Sequence, residues 1–317
     1  MPDLEREFAR IAGVRDCLGR RIFCSDGGFP PRHTWHARAP EQPFLSELAE
    51  SHMAALLQIG PEMQTPLWIV VLAAGAGTRL ASVTGGVPKQ FWSIDGGPSL
   101  VEQTVERLQS LSVPERTLTV IKRGHERYVN TTDRGVSLGR LVAQPCEGVA
   151  AVRAGRSGIV LFGVEADAAN ADYGWIARRR VQASQPERIQ DVAAFVEKPG
   201  PLEAARLLNA GAVWNTMVLA ARASALLDLY RQFLPELAEA LVQLSHLPVD
   251  RRDTYITELY GRLPFADFSS DLLSRARGLA VYTWPASVGW SDLGTPARLA
   301  YWLESSPCPS SLSAANL

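Results

Sequence analysis

Residues 68–90 read WIVVLAAGAGTRLASVTGGVPKQ: an apolar run, a glycine-rich turn, then an arginine and, a short loop later, a lysine. Trp68 to Ala74 shows no alternation and is led by the β-branched Ile69, Val70 and Val71, which predicts a central parallel strand covered on both faces. At its carboxyl end Gly75 and Gly77 lack Cβ atoms, so backbone N–H groups can come close to an anion where open α/β sheets take their ligands. Arg79 offers a planar fork of donors suited to phosphate, and Lys89 a compact charge that can follow charge as it moves. The stretch reads as a grip for a triphosphate.

Other glycine motifs fit less well. A dinucleotide fingerprint needs a third glycine where Leu80 stands, and an acidic residue after the second strand, where Ile121-Lys122-Arg123 stands. A Walker loop needs Gly-Lys-Ser/Thr entering a helix, yet Lys89 lies between Pro88 and Gln90. A tight turn after a buried strand, with solvated charges beyond it, remains the plain alternative on the local string.

LAAGAGTRL followed by PKQF resembles the signature of the sugar-1-phosphate nucleotidyltransferases, and PKQF with SLVEQTVERL at 99–108 resembles the mannose-1-phosphate guanylyltransferase branch. Similar pieces recur in order: DYGWI at 172–176, FVEKP at 195–199, WNT at 214–216 and GWSDLGT at 289–295. The resemblance implies an α/β fold, a Rossmann-like doubly wound mixed sheet of the nucleotide-diphospho-sugar transferase type, over residues 66–303. A nucleotide half would cover 66–145 and a sugar half 158–303, preceded by an N-terminal helical and loop appendage at 1–65. It implies Arg79 and Lys89 as catalytic residues, with Ala74, Gly75, Gly77, Thr78 and Gln144 on the nucleotide. Gly174, Glu197, Lys198 and Asn215 would serve the sugar phosphate, and Asp292 a metal, with hard oxygen ligation suiting Mg²⁺. GTP and mannose 1-phosphate are the substrates it implies. Each position has a simpler reading: Gln144 opening a loop, DYG as a hairpin turn, Glu197-Lys198 as an exposed charge pair, Asn215 bonded to backbone, and Asp292 capping the helix that starts near Thr295.

The chain of 317 residues is 46% hydrophobic with a net charge of −1, enough to bury a sizeable core and no polyanion binder by bulk charge. Four cysteines without paired spacing suggest neither a disulfide framework nor a zinc site, which points to reduced thiols in a cytoplasm. No run is apolar enough to span a membrane, and the charged, amphipathic N-terminus lacks a signal peptide's apolar segment. No nucleic-acid or membrane partner is expected, and a homo-oligomer is left open. Only three lysines occur against 29 arginines, and two of them, Lys89 and Lys198, lie in the quoted motifs. Positions that need a point charge favour an ammonium in this way.

Within 1–65, helical spacing of Leu4, Phe8 and Ile11, and of Phe44 through Leu57, flanks a Gly/Pro-rich loop, and the segment carries no chemistry. Beyond residue 90 the pattern predicts a helix over 99–111 with a Ser99/Glu102 capping box, a strand at 118–121, a short helix at 124–132 and a third strand at 138–144. Strands follow at 158–164, 176–183, 189–196 and 211–220, the middle two paired about the turn SQPER, then a last strand at 279–285. Helices fall at 202–210, 224–244 broken at Pro235, and 253–263, and a Ser/Pro-rich tail at 304–317 should be disordered.

One departure from the family pattern matters. Between the third strand and GIVLFGVEA only Pro145 to Ser157 intervenes, too short for a helix, a strand and a further helix, so the family's first metal-binding aspartate has no counterpart. The reaction implied is transfer of a nucleotidyl group to a sugar 1-phosphate with release of pyrophosphate, GDP-mannose being the leading product, at an activity lowered by the missing carboxylate. Glu147 is a candidate stand-in for it. The alternative is a non-catalytic homologue that binds sugar nucleotides or regulates.

Overall fold

A computed structural model of the chain describes residues 14–15, 21–24, 66–94, 96–109, 111–129, 146–179 and 188–305. These group into two compact units, residues 1–75 with 101–135, and residues 76–100 with 136–317.

The first unit carries a four-stranded sheet in the order β1-β2-β4-β3, where β1 is Val14–Arg15, β2 Arg21–Cys24, β3 Ile69–Ala73 and β4 Thr117–Ile121. β4 pairs parallel with both β3 and β2, and β1 closes antiparallel on β2. Helix α1, Leu100–Leu108, joins β3 to β4 as a crossover, and its Val105 packs with Val101, Leu108 and Leu111 against Ile69 and Val71. That is the right size of connection for a parallel pair.

Two expectations are corrected here. The run at 68–74 is not covered on both faces: among the described strands β3 stands at the sheet's edge, and its burial alternates, with Val70 54% and Leu72 78% exposed. An all-apolar run hides which face is covered, because period-2 patterning has nothing to show when every residue is apolar. In addition, Arg21–Cys24, inside the segment read as helix and loop, joins the sheet through four paired positions on β4.

In the second unit, helix α2, Cys146–Arg153, occupies the short Pro145–Ser157 connection and leads directly into β5, Ile159–Glu165. Then come β6 (Gly174–Arg178), β7 (Ile189–Glu197), α3 (Pro201–Asn209), β8 (Val213–Ala221), α4 (Ala223–Phe233), α5 (Pro235–His246), α6 (Val249–Arg262), β9 (Ala280–Trp284) and α7 (Pro296–Ser305). The five strands close into a barrel, β5-β8-β6-β7-β9, in which β5 and β9 are parallel and the other pairs antiparallel. The described strands therefore form an α/β chain with two sheets, not one doubly wound sheet. Among the described residues the connection into β5 carries the helix α2 and no strand.

β5 is buried along IVLFGV because alternate side chains feed two cores. Val160, Phe162 and Val164 join Trp175, Trp214, Tyr282 and Trp284 under α2 and α3, while Ile159 and Leu161 join Ile176, Phe195, Val213 and Val281 under α4 and the turn Phe268–Leu273. The expected pairing of 176–183 with 189–196 appears as β6 and β7, with Gly174 opposite Glu197. The break at Pro235 falls between α4 and α5. The third strand at 138–144, the turn before Arg188, the helices proposed within 1–65 and the tail beyond Ser305 lie outside the described residues.

Candidate functional site

Two clusters of polar side chains meet on the second unit, joined by Asp172-Tyr173-Gly174 at the start of β6.

The first gathers Arg79, Lys89 and Asp292, which are far apart in sequence. Gly77, with φ 66°, turns the chain so that Lys89 packs behind it; a Cβ at Gly77 would stand 2.7 Å from the Lys89 backbone nitrogen. Lys89 Nζ donates to Asp292 Oδ1 at 3.4 Å and to the Leu293 carbonyl at 3.4 Å. The guanidinium of Arg79 reaches the same place: the point above Gly294 that lies 2.8 Å from Asp292 Oδ2 lies 3.2 Å from Arg79 Nη2. Arg298, in the first turn of α7, donates from Nη1 to Asp292 Oδ2 at 3.0 Å and from Nη2 to Asp172 Oδ2 at 2.8 Å, with its Cζ 4.5 Å from the Tyr173 ring centre. Tyr173 in turn packs edge-on against Trp214 and Trp290. Burial, with the Asp292 charge adding, pushes the Tyr173 phenol above its usual range against the opposing pull of Arg298.

Thr295 caps α7: its Oγ1 accepts from the Arg298 N–H at 3.3 Å, and Pro296 follows at the first helical position. Asp292 thus faces cations while Thr295 holds the helix end.

The second cluster surrounds Gly174. A Cβ there would stand 2.8 Å from Glu197 Oε2 and 3.3 Å from the Asn215 Cβ, so Gly174, Glu197 and Asn215 are neighbours. Lys198 follows at φ 44°, its N–H bonded to the Tyr173 carbonyl at 3.2 Å and its Nζ 3.5 Å from Glu197 Oε1. Asn215 is buried in β8 where a bulge opposite Phe162 and Gly163 lifts Thr216 and Met217 out of register. Its Nδ2 donates to the Met217 sulfur at 3.0 Å and its Oδ1 accepts from the Met217 N–H at 3.2 Å. Met217 sits at φ 61° and is 60% exposed. Asp267 lies below its usual range because the Ser270 N–H bonds it, with the Lys198 charge a smaller contribution.

Ala74 and Gly75 end the first unit's β3 segment, and Thr78 opens the short turn Thr78–Leu80 that carries Arg79. Gln144 lies outside the described residues. Glu147 accepts from the Tyr282 hydroxyl at 3.1 Å, a different partner from any that Asp292 uses. Among the described residues no three His, Cys, Asp or Glu side chains gather to hold a metal ion. Arg298 and Met217 are the site residues that sequence reading missed. The only signal for Arg298 was its place in the first turn of a helix that starts four residues after Asp292.

Residues 148–304 match the family model described as nucleotidyl transferase. Over that stretch the chain is similar to the family. Within it the resemblance is to mannose-1-phosphate guanylyltransferases. The Pseudomonas syringae alginate biosynthesis protein AlgA is 26% identical over 71% of this chain and 56% of its own length, and the Salmonella typhimurium mannose-1-phosphate guanylyltransferase ManC is 26% identical over 74% and 59%. The chain thus spans little more than half the length of these relatives. A Thermus thermophilus crystal structure described as a mannose-1-phosphate geranyltransferase aligns with a TM-score of 0.59 at 26% identity, covering 76% of this chain and 80% of that one. No helix among the described residues is long and apolar enough to cross a membrane.

Proposed function

We propose that the protein transfers a nucleotidyl group to a sugar 1-phosphate, forming GDP-mannose from GTP and mannose 1-phosphate in the cytoplasm and releasing pyrophosphate. The observation that carries this reading is the tripeptide Asp172-Tyr173-Gly174. Its first two side chains touch the Arg298 of the cationic cluster, its backbone holds Lys198, and its glycine opens the gap between Glu197 and Asn215. A polyphosphate and a sugar phosphate can therefore be held side by side.

In the reaction a sugar-phosphate oxygen attacks the α-phosphorus of GTP. A new P–O bond forms, the bond from the α-phosphorus to its bridging oxygen breaks, and pyrophosphate leaves with the electron pair. Such transfer relies on positioning and charge stabilisation. Arg79 holds the triphosphate, Lys89 stabilises charge at the α-phosphate and leaving group, and Lys198 aligns the attacking phosphate. Glu197 and Asn215 take sugar hydroxyls, and Asn215 exchanges its weak sulfur acceptor for an oxygen. Gly77 and Thr78 line the nucleotide.

Nucleotidyl transferases generally use a divalent metal, and Mg²⁺ is the ion this reaction would take, supplying charge neutralisation on the phosphates. Asp292 does not fit as its protein anchor in this arrangement, because both of its oxygens already face cations, the neighbouring Asp172 is taken by the same Arg298, and among the described residues no third His, Cys, Asp or Glu joins them. Turnover is accordingly expected to be slow. The test is pyrophosphate release with GTP, Mg²⁺ and mannose 1-phosphate, dependent on both substrates. Binding of GDP-mannose with no release of pyrophosphate under any condition would instead identify a non-catalytic homologue.

A further inference from the structure

We propose that Arg298 is a resident counter-cation at Asp292, standing where a divalent ion would sit, so that the cluster takes a polyphosphate anion through Arg79 and Lys89 with no metal seated on the protein.

The geometry separates the three cations by how firmly they are held. The Arg298 side chain is 15% exposed, spans two carboxylates at 3.0 and 2.8 Å and stacks on Tyr173, so it is fixed from three directions. Contacts of that length are those of charge-assisted hydrogen bonds, and the planar fork suits them. Lys89 differs. Its contacts are both 3.4 Å, longer than a strong ion pair, and its side chain is 36% exposed. Arg79 is exposed, and its guanidinium approaches Asp292 without a direct bond of that kind. Lys89 and Arg79 are thus the cations that can turn to an incoming anion, and Arg298 is the one that cannot.

Charge gives the same answer. Three cations stand against two carboxylates, Asp172 and Asp292, so the cluster already has an excess of positive charge. Magnesium needs near-octahedral oxygen ligation at about 2.0–2.1 Å and sheds water reluctantly. Seated on Asp292, it would face three neighbouring positive charges and displace Arg298 from its best contact. A phosphate chain meets no such opposition, and arginine forks bind it well.

Free Mn²⁺ followed by electron paramagnetic resonance reads the site directly and needs no turnover. The wild-type chain is expected to take up no Mn²⁺ at concentrations up to about 1 mM. Arg298→Met keeps an apolar stem over Tyr173 and frees both carboxylates, so it should bind one ion at least tenfold more tightly, roughly what one freed carboxylate pair can supply. Adding Asp292→Asn should remove that gain. Arg298→Gln provides a second variant with the same readout, and circular dichroism verifies that each is folded. Calorimetry with pyrophosphate in EDTA should show binding that Lys89→Ala weakens about tenfold. Mn²⁺ uptake by the wild type that Asp292→Asn abolishes would overturn the proposal. So would folded Arg298 variants that gain no Mn²⁺, or pyrophosphate binding that appears only with Mg²⁺. The pyrophosphate measurement rests on the proposed transferase reading. The Mn²⁺ measurement does not, so a chain that releases no pyrophosphate from GTP would remove that reading and leave this one standing.

Discussion

At the scale of single residues, the two ends of the site should separate by mutation. Lys198 sits beside Glu197 and within the field of Asp267, whereas Lys89 sits on Asp292 and Leu293. Lys198→Ala is expected to weaken mannose 1-phosphate binding by about 1.5–3 kcal/mol and to leave GTP binding unchanged, with Lys89→Ala doing the reverse; titration calorimetry with each ligand resolves losses of that size. A loss of GTP affinity in Lys198→Ala would break the assignment. Asp267 supplies a pH test. Its folded value is lowered by the Ser270 N–H, so its contribution to stability is complete above the ordinary aspartate value of 3.8 and is lost as pH falls through the lowered folded value. Asp267→Asn should therefore flatten the acid limb of a plot of melting temperature against pH while leaving the neutral region parallel to wild type.

What the sequence displayed at this scale was the motif residues. Arg79, Lys89 and Asp292 do converge, as do Gly174, Glu197 and Asn215. Arg298 could not be singled out, because one arginine among 29 carries no flag until a fold sets it beside two aspartates. Met217 was hidden for another reason. A methionine in an apolar strand reads as core, and only the bulge on β8 turns it outward at a positive φ.

Elements were legible where periodicity was strong and opaque where pairing decides. The helices α3 to α6 and the strands β5 to β9 fall close to their expected places because each has a clear apolar pattern. The barrel was not legible, since closure depends on β9 finding both β5 and β7 across long separations. Neither was β2: four residues in a Gly/Pro-rich neighbourhood give no strand signal, yet they pair along β4. A chain beginning at Thr65 would lose that strand and leave β4 with β3 as its partner among the described pairings. It should keep mannose 1-phosphate affinity, because every described sugar-side contact lies in the second unit, but melt at a lower temperature in a thermal scan. The cap on α7 is a smaller test. Thr295→Ala removes the hydroxyl that accepts from the Arg298 N–H and should cost about 1 kcal/mol in denaturant unfolding.

For the whole molecule, the unequal cores of the two units set the expectation. Among the described residues the first unit buries six apolar side chains, Ile69, Val71, Ala73, Val105, Leu118 and Ile121, and its β3 shows an exposed apolar face, whereas the second unit closes a barrel around two larger clusters. Regions with few buried apolar contacts open at lower free energy, so amides of β3 and β4 should exchange with deuterium before those of β5 and β8. Ligands then add a directional effect. Arg79 and Lys89 belong to the same unit as Lys198 and Asn215, so mannose 1-phosphate or pyrophosphate is expected to stabilise that unit, by about 2.7 kcal/mol at a hundredfold excess over the dissociation constant. Hydrogen exchange followed by mass spectrometry should show protection over 76–100 and 146–305 on adding either ligand, while peptides from 66–75 and 111–129 keep their rates. Equal protection of both sets would mean that the first unit also takes part in holding the ligand, and the site built here from the second unit would have to be enlarged to include Ala74 and Gly75.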